Sequence, residues 1–325
     1  MSSFYSFLVS IRRVLGQIRI LWLQLIHQNQ VLNVIGIRTG FISRNKKFKN
    51  RENLTDFNFY LPYNSERIEI SAILRVKNEE QKILYCLASI LDVFDEIVFI
   101  DNASTDKTLE LTLQFKERYD ADGKIKVYSY PHAISRCGSE HLATSQNSVH
   151  SLAYYYNYSL SHCSFKYACK WDADMVLLKE KKEKFRSFLM DKVLPSKGRV
   201  WLLKGQTVYR DLNNNYFVSS SVNSEPRIFP FTYLNHYVKS QATEILLCKP
   251  PLIEDYFLED TIFYELKFSS EDEFSHCSPE LLTDSENSLM DGRGRAEFKT
   301  LTLVRKGQAN LSSLLPISSE FLSSP

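Results

Sequence analysis

No charge of one sign prevails in this chain, where 40 Lys and Arg stand against 38 Asp and Glu for a formal net charge of +2. With a pI near 8.1, that balance does not mark a nucleic-acid binder, and any basic partner surface has to be local. The six cysteines, at positions 86, 137, 163, 169, 248 and 277, include no C-x-x-C pair, and the histidines form no ladder at zinc spacing. Such usage suits a reduced, cytosolic chain better than a disulfide scaffold or a zinc module. Also missing is an uninterrupted apolar run of about 18 to 20 residues, the length that spans a bilayer. No internal repeat or heptad recurs.

What remains is ordinary globular material, 325 residues of which 44% are hydrophobic and 24% charged, enough for one main domain with terminal additions. The first thirty residues include FYSFLVSIRRVLGQIRILWLQLI, apolar but broken by Arg12, Arg13 and Arg19. A signal peptide puts its charges ahead of its apolar core, so secretion is not expected. Two readings stand for this segment: a helix packed on the main domain, or a basic amphipathic helix in peripheral contact with a membrane surface. Residues 40–67 are polar and basic without helical period, so residues 1–67 read as a helix and linker, and the main domain begins near Ile68.

From Ile68 the pattern alternates. RIEISAILRV reads as a strand, ILYCLASIL as a helix, EIVFID as a strand, TLELTLQFKERY as a helix and KIKVYSY as a strand. In the first helix Ile83, Leu84, Leu87, Ile90 and Leu91 form the face expected to pack on the sheet. A tyrosine-rich helix, SVHSLAYYYNYSL, precedes a fourth strand in FKYACKWDADMV. Alternation of this kind implies an α/β fold with a mostly parallel central sheet flanked by helices, and ligands outside the carboxyl ends of the strands. Residues 198–268 read as a mixed second half, with WLLKGQTVY and ATEILLC strand-like, and the serine-rich tail 271–325 as poorly ordered.

Short polar and acidic residues follow the strands: Arg75, Asn78 and Glu79 after the first, then Asp101, Asn102, Ser104, Thr105 and Asp106 after the second. A carboxylate such as Asp101 can accept from a base N–H or a ribose hydroxyl. The same DNASTDKT run also reads as a helix N-cap. In KWDADMV two carboxylates stand one residue apart. If extended, Asp172 and Asp174 would point to one side and share a hard divalent cation, Mn²⁺ or Mg²⁺, that neutralises a diphosphate.

The run ISAILRVKNEEQKILYCLASILDVFDEIVFIDNASTDKT, followed by KWDADMV, resembles the family 2 glycosyltransferases of GT-A fold. The likeness covers residues 68–180, a donor-binding half, and more loosely residues 198–268, an acceptor half, within a domain of residues 68–270. The resemblance implies inverting transfer of a sugar from a nucleotide-diphosphate sugar, most often a UDP-sugar, to a saccharide or glycolipid hydroxyl, in bacterial surface polysaccharide or lipopolysaccharide assembly. It implies donor-binding roles for Arg75, Asn78, Glu79, Asp101, Ser104, Asp106 and Asp172, and metal ligation by Asp172 and Asp174. Glu225 and Arg227, in NSEPRIF, match a segment that relatives carry ahead of the base; an ordinary surface ion pair is the plainer reading. Glu244 falls close to where relatives place the general base, with Glu254, Asp255, Glu259 and Asp260 as competitors. Arg136 lies where the family covers the donor, and could equally hold its own loop together. The chain departs from the family where a late His-x-Lys closes the metal site, since FYELKF offers Glu265 and Lys267; Glu265 is the expected third oxygen ligand.

A nucleotidyltransferase is the rival enzyme, but LRVKNEEQK has none of the glycines of a phosphate loop. A non-catalytic carbohydrate- or lipid-binding homologue is the rival outside catalysis.

Overall fold

The computed structural model describes residues 45–54, 57–60, 69–195, 199–231, 235–241, 243–247, 256–268, 271–278, 281–282, 292–308 and 313–322. The apolar amino-terminal segment and the competitors Glu254 and Asp255 lie outside the described residues. Strands run in chain order as β1 (Asn45–Phe48), β2 (Phe57–Tyr60), β3 (Ile70–Val76), β4 (Glu96–Asp101), β5 (Ile125–Ser129), β6 (Tyr167–Lys170), β7 (Met175–Leu177), β8 (Trp201–Arg210), β9 (Tyr216–Pro230), β10 (His236–Lys239), β11 (Glu244–Leu247), β12 (Tyr256–Phe268) and β13 (Leu314–Ile317). The helices are α1 (Ile83–Ile90), α2 (Thr108–Tyr119), α3 (Ser139–Ala143), α4 (Leu152–Ser161), α5 (Lys182–Phe188) and α6 (Gly292–Arg305).

One large sheet has the order β5-β4-β3-β6-β9-β8-β12-β7, with β13 added against β9. Its first half is parallel, β3 pairing β4 and β6, and β4 pairing β5. The second half is mixed: β9 runs antiparallel to β6 and β8, and β12 parallel to β8. From β3 the chain builds outward through β4 and β5, then returns to the other side of β3 as β6. That reversal creates a switch point, and in such sheets the crevice outside the carboxyl ends of the flanking strands takes the ligand.

The inner strands β3 and β4 are buried on both faces, as a sheet covered on both sides requires. Ala72, Leu74, Ile97 and Phe99 point into one core cluster, while Ile73, Val98 and Ile100 point into another on the opposite face. Helix α1 buries Ile83, Cys86, Leu87 and Ile90. The expected face is corrected by one position, because Leu84 lies off the stripe and is 37% exposed, and Cys86 takes its place.

Two other expectations change. The D-A-D segment is a turn between β6 and β7, closed by the Met175 N–H donating to the Asp172 carbonyl at 3.0 Å, and is not extended strand. Nor is the serine-rich tail unstructured where it is described: β13 adds to the sheet through β9, and α6 packs Leu301 and Val304 against Tyr209. No described helix is long and apolar enough to cross a membrane.

Candidate functional site

The loops that leave β3 and β4 are sewn to each other. Asn78, at φ 55°, accepts from the Thr105 N–H at 2.9 Å, and its own N–H donates to Ser104 Oγ at 3.1 Å. The Glu79 N–H donates to Thr108 Oγ1 at 2.7 Å, and the Glu80 N–H to Asp106 Oδ2 at 3.1 Å. Asp106 also accepts from the Thr108 N–H at 3.0 Å, the capping role that its residue type suggests. Ser104, Asp106 and Asn78 thus shape the crevice. Asp101 is 4% exposed, and the Ser104 N–H approaches its oxygens at 3.3 and 3.4 Å.

Within the D-A-D turn the two carboxylates take separate partners. Asp172 Oδ2 accepts from Arg227 Nη1 at 2.6 Å, with Lys170 Nζ at 3.7 Å, while Arg75 Nη2 lies 3.7 Å from Oδ1. Glu225 lies beside them, 3.1 Å from Arg227 Nη2 and 3.2 Å from Lys170 Nζ. Burial alone would raise the Asp172 carboxyl, but Lys170, Arg227 and Arg75 outweigh it and hold it well below the usual carboxylate range. Lys170 and Arg227 bring Glu225 down to about 2. Arg227 is 1% exposed and the Glu225 side chain 30%, so the pair joins a buried guanidinium to a half-buried carboxylate and the plain surface reading is corrected.

That lowering has a testable sign. A carboxyl with a depressed folded pKa contributes stability above its unfolded value, near 4.5, which is lost as pH falls toward the folded value. Glu225→Gln is therefore expected to be less stable than the parent at neutral pH. The difference should close between about pH 4.5 and 2, as read by urea unfolding across that window. A gap of constant size would contradict the assignment.

Asp174 turns the other way, to Lys267 Nζ at 2.7 Å. Glu265 joins the same ammonium at 2.9 Å and meets Arg293 of α6 at 2.6 Å. Glu273 lies 3.5 Å from Lys267 and 3.0 Å from Lys82, which in turn holds Glu79 at 2.8 Å. Burial pushes Glu79 up to about 7, with Lys82 opposing and Asp174 and Glu273 adding to the rise. Burial also raises Asp174, against Lys267.

A divalent cation would need these oxygens turned toward one point. As arranged, Asp172, Asp174 and Glu265 do not fit one, because each already holds a cation of the chain, and Asp174 and Glu265 share theirs. Among the described residues no group of three His, Cys, Asp or Glu could hold a metal ion.

Arg75 is nearly enclosed, its side chain 4% exposed. Its guanidinium lies over the Tyr156 ring at 3.7 Å from the centroid and nearer to it than to Tyr237 at 5.8 Å, and its three nitrogens have no hydrogen-bond partner. Glu244 starts β11, which packs on α4, the helix that carries Tyr156, and the charges of Lys170 and Arg75 act on its carboxylate. Burial raises its pKa, and those two cations oppose the rise. Asp260 pairs instead with Lys184. Arg136 pairs with Glu140 four residues on, at 2.5 Å, and its N–H donates to the same carboxylate at 3.0 Å, the loop-holding arrangement.

Sequence reasoning passed over Lys82, Lys170, Glu273, Arg293 and Tyr237, and read Tyr156 only as part of a partly buried tyrosine run. Lys170 carried a signal, standing two residues before Asp172 at a strand end. Glu273 and Arg293 carried none, because both lie in the serine-rich tail far from any motif.

Residues 71–133, from β3 to the loop beyond β5, match the family model described as Glycosyl transferase family 2. No curated relative matches the chain. Among solved structures the chain is similar to residues 1–349 of TarS from S. aureus, crystallised with UDP-GlcNAc, at 16% identity and TM-score 0.42, covering 75% of this chain and 68% of that one. It is also similar to glucosyl-3-phosphoglycerate synthase from Mycobacterium tuberculosis with Mg²⁺ and UDP, at 20% identity and TM-score 0.27, covering 44% of each chain. Mannosyltransferase PcManGT from Pyrobaculum calidifontis, with GDP-Man and Mn²⁺, is similar at 18% identity and TM-score 0.29, covering 44% of this chain and 35% of that one. The family match thus takes in β3, β4 and β5 with the loops sewn between them, ends before the Asp172 turn, and is to a family of transferase enzymes.

Proposed function

We propose that this chain moves a sugar from a nucleotide-diphosphate sugar, a UDP-sugar foremost, to a hydroxyl of a saccharide or glycolipid acceptor, with inversion at the anomeric carbon. One observation carries the reading. Asp172 lies 3.7 Å from the buried Arg75 guanidinium, and β11, which starts at Glu244, packs on α4, the helix whose Tyr156 covers that guanidinium, at the switch point of a sheet whose residues 71–133 match glycosyl transferase family 2. Donor-side and base-side carboxylates then flank one crevice.

The chemistry follows from the partners. The acceptor hydroxyl attacks the anomeric carbon, its proton passes to Glu244, and the bond to the diphosphate breaks with its electron pair leaving on the phosphate oxygen. A carboxyl whose pKa is raised by burial takes a proton more readily than an exposed one, and Lys170 and Arg75 moderate that rise. Negative charge develops on the departing diphosphate. Lys170 is the cation of its group best placed to meet it, with a side chain 22% exposed against 4% for Arg75 and 1% for Arg227.

A thermal-shift screen of nucleoside diphosphates tests the donor side, since a ligand present at about 100 times its dissociation constant stabilises the fold by roughly 2.7 kcal/mol. The expected result is a rise with one base, UDP first. No shift with any nucleoside diphosphate would contradict the proposal.

A further inference from the structure

The Lys267 ammonium stands where a D-x-D reading puts a metal. Its Nζ is 2.7 Å from Asp174 Oδ2, 2.9 Å from Glu265 Oε1 and 3.5 Å from Glu273 Oε1, with the side chain 10% exposed. The surrounding oxygens are engaged as well. Glu265 Oε2 accepts from Arg293 at 2.6 Å and from Asn223 Nδ2 at 3.1 Å, while Glu273 Oε2 accepts from Lys82 at 3.0 Å. A hard cation the size of Mg²⁺ or Ca²⁺ binds such oxygens at about 2.0 to 2.6 Å and needs their lone pairs free. Here it would have to expel a buried ammonium from three carboxylates at once, leaving a charge without partners.

We propose that Lys267 is the resident cation of this site, so that the chain holds the diphosphate of its donor without a divalent metal. The inference rests on the reading of the crevice as a nucleotide-sugar site and deepens it. A metal in such a place does two jobs, compensating the carboxylates that hold it and presenting positive charge to the phosphates. In this chain the jobs are divided. Lys267, fixed by covalent attachment and by the strand pairing of β12, compensates Asp174 and Glu265. The phosphates meet the neighbouring group of cations, Arg75, Lys170 and Arg227, which stand against Asp172 and Glu225. In that group the three Arg75 nitrogens are without hydrogen-bond partners, and Lys170 reaches solvent. The departure of FYELKF from the His-x-Lys of relatives follows the same logic, since a glutamate in place of a neutral histidine gives the lysine a second anion to pair with.

Calorimetric binding of UDP and GDP to the full chain decides the matter, measured in excess EDTA and again with Mn²⁺. For the wild type the tighter of the two nucleotides is expected to bind with dissociation constants that agree within about threefold in the two conditions. Lys267→Met removes the ammonium and leaves its carboxylates open. Its binding should fall at least about tenfold in EDTA and return with Mn²⁺, converting the site into a metal-dependent one. A wild-type loss of more than about threefold in EDTA overturns the inference while leaving the donor reading intact. So does a Lys267→Met variant that binds as the wild type does without metal. If neither nucleotide binds in either condition, the donor reading falls and the inference falls with it. Should Lys267→Met not fold, the wild-type comparison decides alone.

Discussion

Glu244→Gln is expected to lower turnover at least about a hundredfold while leaving donor affinity nearly unchanged, because general-base assistance contributes about 10² to 10⁴-fold. The substitution keeps the size of the side chain and removes only the basicity. Losing an interaction made in the transition state alone lowers kcat and kcat/KM together, whereas a lost binding contact raises KM. Steady-state kinetics with varied donor separates the two. Normal turnover by the variant would place the base elsewhere, and Glu259 would be the next residue to change, since Asp260 is spent on Lys184.

Arg227→Met should cost more stability than any other single change discussed here. The guanidinium is 1% exposed and holds Asp172 at 2.6 Å and Glu225 at 3.1 Å, so its removal takes the nearest cation from Asp172 and leaves Lys170 as the cation both carboxylates share. Losing these charged hydrogen bonds from a half-buried cluster costs about 1 to 3 kcal/mol. For a domain of this size that lowers the melting temperature by roughly 5 °C. Circular dichroism during heating gives the number directly. Arg227→Lys is expected to recover only part of the loss, because one ammonium cannot reproduce a fork that serves two carboxylates. A loss below about 1 kcal/mol for Arg227→Met would mean that the cluster is solvated and worth little.

The strands and helices of residues 68–180 were legible because each has a clear period and the motifs fall at strand ends. The sheet's continuation was less so. In β9 the segment YFVSSSVNSEPRIFP alternates poorly and reads as loop, yet it spans Tyr216–Pro230 and pairs with three other strands. Long-range partners, which a single sequence does not display, make it a strand. The D-A-D segment shows the same limit at one residue's scale. Its spacing suggested two carboxylates on one side of a strand, but the Met175 N–H closes a turn that sends Asp172 to Arg227 and Asp174 to Lys267. The types of residue were readable from sequence and the partners were not, because Arg227, Lys267, Glu273 and Arg293 come from strands and helices far along the chain. Arg293 reaches Glu225 and Glu265 from α6, in a tail whose composition gave no sign of a helix.

Phosphorus NMR of the chain incubated with UDP- and GDP-sugars tests whether it transfers a sugar from a nucleotide-diphosphate sugar. Water can serve as a slow acceptor, so the account predicts that the nucleoside diphosphate accumulates while free sugar appears, and that Glu244→Gln slows both together. Release of pyrophosphate or nucleoside monophosphate, or donors that stay intact both alone and with saccharide acceptors, would contradict it.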